Sequence, residues 1–389
     1  MHDKQPVCYW RGDAADFKDH SPAIRWVPLV NDLSIGEVQN AYEAGIISFR
    51  LYIHDKYRQG ELMADYIEPW NHDLPKLPFK YKARAYIYQC RGLPSSDKDG
   101  NCDPCVEVWS PSDQKPTTTI VEDNTNPVFY ETVEFDYYVS EDEVNPPFIL
   151  SIKDKDDHIV ADSYDFVGRA LIPYNEASVN VSPIDNLEPK WHSIKMGYDP
   201  DEPEMGRILV SFSLIESSYE FMTPIQHIDI TPESTLYNVE INILGLRNLQ
   251  SPGILPVKKA FIKFDIRSLM HPSKATAIEN IKTHPHSSGP NPTISTVIKF
   301  NCELPVDDLY TPSMTCSVYD HVLKGLSQPL IGNFHIPIGD LQHGNEERLK
   351  SKLILQKVFI KLTFYEINSY HTCHFLNTII LAIFNSYPV

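Results

Sequence analysis

Apolar and polar residues alternate with a period of two along most of the chain, most clearly from Tyr81 to Cys90. A strand with one buried face gives this pattern, because successive side chains point to opposite sides of the sheet. Seven more short segments of this kind follow, separated by turn residues: 105–109, 117–122, 132–137, 148–153, 166–172, 190–194 and 207–215. Eight short strands without a helical segment predict an all-β fold, an antiparallel β-sandwich.

The same pattern then occurs a second time. Residues 81–93 match residues 237–249, and further matched positions follow at nearly constant spacing. The matched pairs are Arg91 and Arg247, Asn126 and Asn291, Phe135 and Phe300, and Gly168 and Gly332. A self-similar stretch of this length predicts a repeated structural unit. We therefore expect two eight-stranded Greek-key sandwiches in tandem, at residues 81–217 and 235–367, joined by a linker at residues 218–234.

The two ends of the chain give weaker signals. Residues 1–80 contain a stretch from Gly36 that resembles the last strand of the first sandwich. This segment is therefore either the tail of a preceding sandwich followed by a linker, or an extension whose fold the pattern does not define. We expect residues 368–389 to be a C-terminal tail, whose ten-residue apolar run is either a terminal strand or an unstructured end. The run is shorter than the roughly twenty residues that a membrane-spanning helix needs.

Composition narrows the class of protein. The formal net charge of −18 argues against a nucleic-acid partner. Seven cysteines are few and odd in number, so we expect free thiols in a reducing, cytoplasmic setting. The sequence contains no glycine-rich phosphate loop, nucleophile elbow or supported Cys–His pair, and we expect a binding protein and not an enzyme.

Two acidic turns carry the candidate chemistry. In the first turn two aspartates stand six residues apart, and in the second an Asp-Lys-Asp stretch ends a predicted strand, with two more aspartates shortly after it. Residues two apart on a strand point to the same side, so such carboxylates can face one centre. Calcium takes roughly six to eight oxygen ligands of this kind. The alternative is a set of solvated turn residues, since aspartate favours turns. The candidate ligands are Asp97, Asp103, Asp154, Asp156, Asp162 and Asp165.

Several motifs also resemble a known family. Asn124-Thr-Asn-Pro-Val-Phe129, Asp154-Lys-Asp156 and Asp165-Phe-Val-Gly168 resemble the signature of C2 domains, which are calcium- and lipid-binding β-sandwiches. More narrowly, residues 81–93 and Pro189-Lys-Trp-His192 resemble a central C2 domain of the ferlins, large tandem-C2 proteins of membrane fusion and repair. The resemblance covers about residues 81–367.

The resemblance implies which loops supply the ligands. The family's first calcium loop corresponds to Asp97 and Asp103, and its third loop to Asp154, Asp156 and one final aspartate before Gly168. That last position stays open, because the loop is longer than usual. Asp165 stands at the expected distance, and Asp162 is the alternative. The second copy keeps only Asp320 in its third loop, so we expect it to fold without calcium.

The resemblance also implies a function. Calcium in the first domain would join the chain to anionic phospholipid membranes in vesicle trafficking, membrane fusion or membrane repair. The chain would then be cytoplasmic and peripheral at membranes or vesicles, with membrane-fusion proteins as further partners. The alternative is a calcium-independent scaffold or protein-interaction module built from the same two domains.

Overall fold

The structure is a computed structural model, and it describes strands of both expected sandwiches. The described residues are 8–10, 25–31, 46–49, 79–94, 102–109, 115–139, 145–156, 163–179, 187–197, 202–216, 229–251, 256–270, 281–287, 289–338, 358–367 and 373–381. The expected fold class is confirmed, because these residues form two β-sandwiches in tandem.

Among the described residues, four short strands come before the sandwiches: β1 (Cys8–Tyr9), β2 (Arg25–Pro28), β3 (Val30–Asn31) and β4 (Ile46–Phe49). They pair as two antiparallel ribbons, β1 with β3 and β2 with β4. The stretch from Gly36 that resembles a last sandwich strand lies outside the described residues. Its resemblance stays a prediction.

The first sandwich consists of β5 (Phe79–Arg91), β6 (Pro104–Val108), β7 (Val128–Val139), β8 (Phe148–Asp156), β9 (Ser163–Ile172), β10 (Ser178–Val179), β11 (Lys190–Ser193) and β12 (Arg207–Glu216), with a 3-10 turn at Tyr174–Glu176. One sheet has the order β10-β12-β5-β7 with β11 beside β12, and the other has the order β6-β8-β9. The pairs are antiparallel apart from the short parallel contact of β10 with β12.

Aromatic side chains fill the space between these two sheets. Phe148 of β8 stacks on Phe212 of β12 with ring centroids 4.2 Å apart and planes 7° from parallel. Phe135 meets the Phe148 ring edge-on at 6.2 Å. Buried aromatic pairs add packing energy beyond their area. This core fixes β8 in the middle of its sheet, and β8 is the strand that ends in the acidic turn.

One predicted strand is replaced by an irregular connection. Residues 117–122 contain the β-branched residues typical of strands, yet they contact β6 through an isolated bridge from Thr117 to Glu107 and two separate backbone bonds. The Thr118 and Val121 N–H groups donate to the Val106 and Pro104 carbonyls at 3.0 and 3.1 Å. The side-chain hydroxyl of Thr118 accepts the bond from the Val106 N–H, 3.0 Å away, in place of a backbone carbonyl. This substitution interrupts the regular ladder. The remaining predicted strands of this copy are present within a few residues of their expected bounds.

The second sandwich consists of β13 (Ser234–Leu246), β14 (Ala260–Asp265), β15 (Ile281–Lys282), β16 (Thr293–Pro305), β17 (Ser313–Asp320), β18 (Leu330–Pro337), β19 (Val358–Ile367) and β20 (Cys373–Leu381), with 3-10 turns at Arg267–Leu269, Asp308–Tyr310 and Leu323–Gly325. Its two sheets have the orders β16-β13-β19-β20 and β15-β14-β17-β18. The strand β20 lies within the expected tail and pairs antiparallel with β19.

The strand registers confirm the repeat. Ala83 lies opposite Phe135 in the first sandwich, and Val239 lies opposite Phe300 in the second. The Asn-Pro turns also match, because the side-chain oxygen of Asn126 accepts from the Gly92 N–H at 2.9 Å and that of Asn291 from the Asn248 N–H at 2.8 Å. The two copies therefore share one backbone design.

The two sandwiches contact each other along one face. Tyr88 packs against Tyr310 with ring centroids 5.2 Å apart, and Gln89 donates to the Tyr310 carbonyl at 2.9 Å. Arg91 donates to the Thr311 carbonyl. Ile230, from the expected linker, is buried in the same cluster. The second sandwich is thus held to the first by apolar packing and by hydrogen bonds from β5.

Candidate metal centre

Strands β6 and β8 bring Asp103 and Asp154 together. Pro104 is the register partner of Asp154, so Asp103 lies just beyond the paired part of β6. The Asp103 N–H donates to Asp154 Oδ1 at 2.6 Å, and the Lys155 N–H donates to the Asp103 carbonyl at 3.1 Å. The Asp154 side chain is fully buried, whereas Asp103 is half-buried. Two of the predicted ligands therefore meet at one end of the sandwich.

Strand β9 brings a third carboxylate to this end. Asp165 is the register partner of Asp154, and Asp156 is the partner of Ser163. Residues directly opposite each other on paired strands share a face of the sheet. Asp165 is exposed, at the rim of the end where Asp154 is buried. Asp97 and Asp162 lie outside the described residues, as does the side chain of Asp156.

A residue that the sequence did not single out braces this site. The Asp123 N–H donates to Asp103 Oδ1 at 2.7 Å. Asp123 has a φ of 55°, in the left-handed region that aspartate and asparagine adopt more readily than other non-glycine residues. The Asp-Asn pair that starts the turn before β7 is the sequence signal for this conformation.

The side chains present fit a hard cation. They offer carboxylate oxygens, which calcium prefers, and they include a carboxylate that is fully buried at Asp154. Burial of an ionised carboxylate is costly without hydrogen bonds or a compensating charge. In the part of the chain that the structure describes, no three His, Cys, Asp or Glu side chains are close enough to hold a metal ion. A calcium site at this end would therefore also need ligands from residues of the loops 95–101 and 157–162.

Two cysteines flank Asp103 and its neighbour Pro104. Cys102 and Cys105 are buried free thiols, and the Cys102 thiol donates to the Asn124 carbonyl at 3.4 Å. Burial raises the pKa of the Cys105 thiol to about 11. Because the thiolate is the reactive and metal-binding form, this cysteine is inert at neutral pH.

The corresponding end of the second sandwich has the same backbone arrangement but different side chains. The His321 N–H donates to the Lys259 carbonyl at 3.0 Å, as the Lys155 N–H does to Asp103, so Lys259 stands in the position of Asp103. Asp320 matches Asp154, because its register partner Ala260 matches Pro104. Val322 follows Asp320 by two residues, as Asp156 follows Asp154, and the Asp320 N–H donates to the Pro329 carbonyl at 3.0 Å. Pro329 therefore lies where the first copy has Asp165. Among these four equivalent positions only Asp320 is acidic.

Asp320, the aspartate at this end of the second sandwich, accepts hydrogen bonds from the backbone. Asp320 is 5% exposed, and its carboxylate accepts from the Lys259 N–H at 2.7 Å and from the Lys258 N–H at 3.1 Å. A single buried carboxylate with such partners stabilises the strand ends on its own. That the second domain folds without calcium stays a prediction.

Comparison with known proteins identifies the fold family. A family model described as "C2 domain" matches residues 81–194 and again residues 238–353, which together are more than half of the chain. The chain belongs to the C2 domain family. It contains two C2 domains in tandem, and the first one carries the acidic end.

Similarity to curated proteins confirms the ferlin resemblance. Human myoferlin is 27% identical over 281 residues, which cover 65% of this chain and 12% of myoferlin. FT-interacting protein 7 of rice is 34% identical over 110 residues, which cover 28% of this chain and 13% of that protein. This ferlin-like tandem C2 chain therefore spans only about an eighth of the length of the curated relatives that it matches.

Solved structures give a looser likeness. The pair of C2 domains of Extended-Synaptotagmin 2, solved with calcium bound, is 14% identical to the chain and covers 79% of it and all of that chain, with a TM-score of 0.27. The family assignment accordingly rests on the sequence match.

Among the described residues, no helix has the length and apolar character needed to cross a membrane.

Proposed function

We propose that the first C2 domain binds calcium and, through it, anionic phospholipid membranes. The observation that carries this proposal is the register of β6, β8 and β9, which brings Asp103 and Asp165 to the end of the sandwich where Asp154 is buried. The same end of the second domain has a lysine and a proline at the positions of Asp103 and Asp165. The proposed ligand set also contains Asp156 and takes in the loops that carry Asp97 and Asp162.

The acidic end controls the contact with lipid. The chain has a net charge of −18, so an anionic bilayer repels it. The exposed carboxylate of Asp165 and the half-buried one of Asp103 add to this repulsion at the tip of the domain. Bound calcium supplies the positive charge and the open coordination positions that lipid phosphate oxygens can fill.

The ferlin likeness supports a biological setting for this binding. It implies vesicle trafficking, membrane fusion or membrane repair, with the chain at the cytoplasmic side of a membrane and membrane-fusion proteins as partners. The second C2 domain, with Lys259 in place of Asp103, would serve without calcium as a spacer or a protein-binding surface.

Sedimentation with phosphatidylserine liposomes tests the proposal. We expect the chain to pellet with calcium and to stay in the supernatant with chelator, and the Asp154→Asn/Asp156→Asn variant to stay in the supernatant in both. Asp320→Asn is the matched control, because it alters the same position in the second domain, and we expect it to pellet as the wild type does. If the wild type pellets no better with calcium than with chelator, the proposal is wrong.

A calcium-independent scaffold is the second candidate function. It is favoured by the hydrogen bonds within the acidic end, since Asp154 accepts from the Asp103 N–H much as Asp320 accepts from Lys259. In that case the carboxylates of the first domain would only brace strand ends. The same experiment decides between the two, because a scaffold would show no calcium-dependent pelleting while retaining its fold.

A further inference from the structure

The turn at residues 123–126 contacts the acidic end of the first domain. The Asp123 N–H donates to Asp103 Oδ1 at 2.7 Å. The next residue, Asn124, donates its N–H to the Cys102 carbonyl at 2.8 Å and accepts from the Cys102 thiol. This turn therefore holds both the backbone before Asp103 and the carboxylate of Asp103 itself.

The opposite side of the same turn contacts the second domain. The Asn126 amide donates to Thr315 Oγ1 at 2.7 Å and to His335 Nδ1 at 2.9 Å. Arg267 Nη2 donates to the Asp123 carbonyl at 2.9 Å. Asn126 is 2% exposed, so this contact is closed to solvent.

Arg267 is held rigidly on its own domain. Its guanidinium binds Asp265 in two places, from Nε at 2.9 Å and from Nη2 at 2.6 Å. A two-point arginine–carboxylate pair fixes the plane of the guanidinium. The Asp123 carbonyl therefore meets a donor whose position is set by the second domain.

Asp123 links the two sides through its own backbone. Its N–H bonds the first domain and its carbonyl bonds the second, while its φ of 55° lies in a region that costs energy for a residue with a side chain. Such a conformation persists only where the surroundings fix it. Loss of the Arg267 bond would leave this turn, and with it the Asp103 carboxylate, less constrained.

We propose that Arg267 is a positioning residue for calcium binding in the other domain. Docking of the second domain fixes Asp103 through the Asp123 turn, and this order raises the calcium affinity of the first domain. A carboxylate that accepts one N–H keeps further lone pairs for a cation. The proposal rests on the calcium binding proposed above and adds that the second domain sets its strength.

Calcium titration of the full chain tests the coupling. We expect Arg267→Met to weaken calcium binding at least fivefold, at the lower end of roughly five- to 150-fold couplings between sites. The matched control is Arg247→Met, since Arg247 donates to carbonyls of its own domain, at Leu246 and Pro292. We expect this control to bind calcium as the wild type does. Equal affinities of the two variants would overturn the coupling.

A second variant distinguishes lost coupling from misfolding. Arg267→Met leaves the 6%-exposed Asp265 carboxylate without its arginine, whereas Asp265→Asn/Arg267→Met removes that charge and keeps an acceptor for the Arg267 backbone N–H. We expect the double variant to show the same weakened binding with the far-ultraviolet circular dichroism of the wild type. Wild-type affinity in a folded double variant overturns the coupling.

Hydrogen exchange on the wild type gives an independent readout. Coupling between two sites is reciprocal, so calcium must slow amide exchange at the Arg267–Leu269 turn of the second domain. Unchanged exchange there, in a chain that binds calcium, overturns the coupling and leaves the proposed function intact. A wild type that binds no calcium overturns both.

Discussion

A drop in pH should weaken the contact between the two domains through His335. Its Nδ1 accepts a hydrogen bond from the Asn126 amide at 2.9 Å. The orientation of that amide is fixed, because its oxygen accepts from the Gly92 N–H on the other side. Burial lowers the pKa of His335 from 6.5 to about 4. The imidazole is therefore neutral at pH 7, as an acceptor at Nδ1 requires.

The depressed pKa gives the direction and the size of the effect. Between pH 6.5 and pH 4 the unfolded chain binds a proton at His335 that the folded chain does not, so stability is complete above pH 6.5 and is lost as the pH falls. At pH 5 these two pKa values correspond to a loss of about 2 kcal/mol in the free energy of unfolding. His335 as a residue is half-buried, so screening by solvent makes this figure an upper value.

Urea unfolding in chelator at pH 7 and pH 5 measures this loss. Other groups also titrate in this range, so the decisive quantity is the difference between the wild type and His335→Gln, whose side chain can still accept from Asn126. We expect His335→Gln to lose about 1–2 kcal/mol less than the wild type between the two pH values. His284→Gln, at an exposed loop position, serves as the control and should match the wild type. Equal losses in the wild type and His335→Gln would refute the reasoning.

Two further predictions follow from the same structure. Calcium at a hundredfold excess over its dissociation constant should stabilise the chain by about 2.7 kcal/mol, measured as a rise in Tm by differential scanning fluorimetry; the rise should be absent in Asp154→Asn/Asp156→Asn, and an equal rise there would contradict the site. Glu134→Ala should lower the free energy of unfolding in urea by about 3 kcal/mol, because it removes the carboxylate that pairs at 3.0 Å with the 2%-exposed Arg84. Glu204→Ala, whose partner Arg207 is 58% exposed, should cost below about 1 kcal/mol, and similar losses in both would contradict the burial argument.

The repeat was predictable because it depends on residues that are close together in the sequence. An Asn-Pro turn and the phenylalanine nine residues later fix the register of a strand against its neighbour, and both copies carry them. The structure accordingly pairs Ala83 with Phe135 and Val239 with Phe300. Alternation of period two and turn residues are properties of short segments. They can therefore be recognised from the sequence without knowledge of distant contacts.

The contact between the domains was not predictable in this way. Asn126 and Asn291 stand in the same Asn-Pro motif and accept the same backbone hydrogen bond. Yet Asn126 is 2% exposed against the second domain, whereas Asn291 is exposed. The difference comes from Thr315 and His335, which are 189 and 209 residues away from Asn126 in the chain. No local pattern reports which copy of a turn a distant surface covers.

The comparison of the two copies also separates structural from functional carboxylates. Both domains keep an aspartate at the position of Asp154 and Asp320, and in both it accepts backbone N–H bonds at the strand ends. Part of its role is therefore structural in both domains. The position of Asp103 differs, because Lys259 makes the same backbone bond in its place but has no carboxylate to accept a bond such as that from the Asp123 N–H. Asp320→Asn removes only the structural role that the two aspartates share. Loss of membrane binding in Asp154→Asn/Asp156→Asn is therefore evidence for calcium binding only if Asp320→Asn still binds membranes.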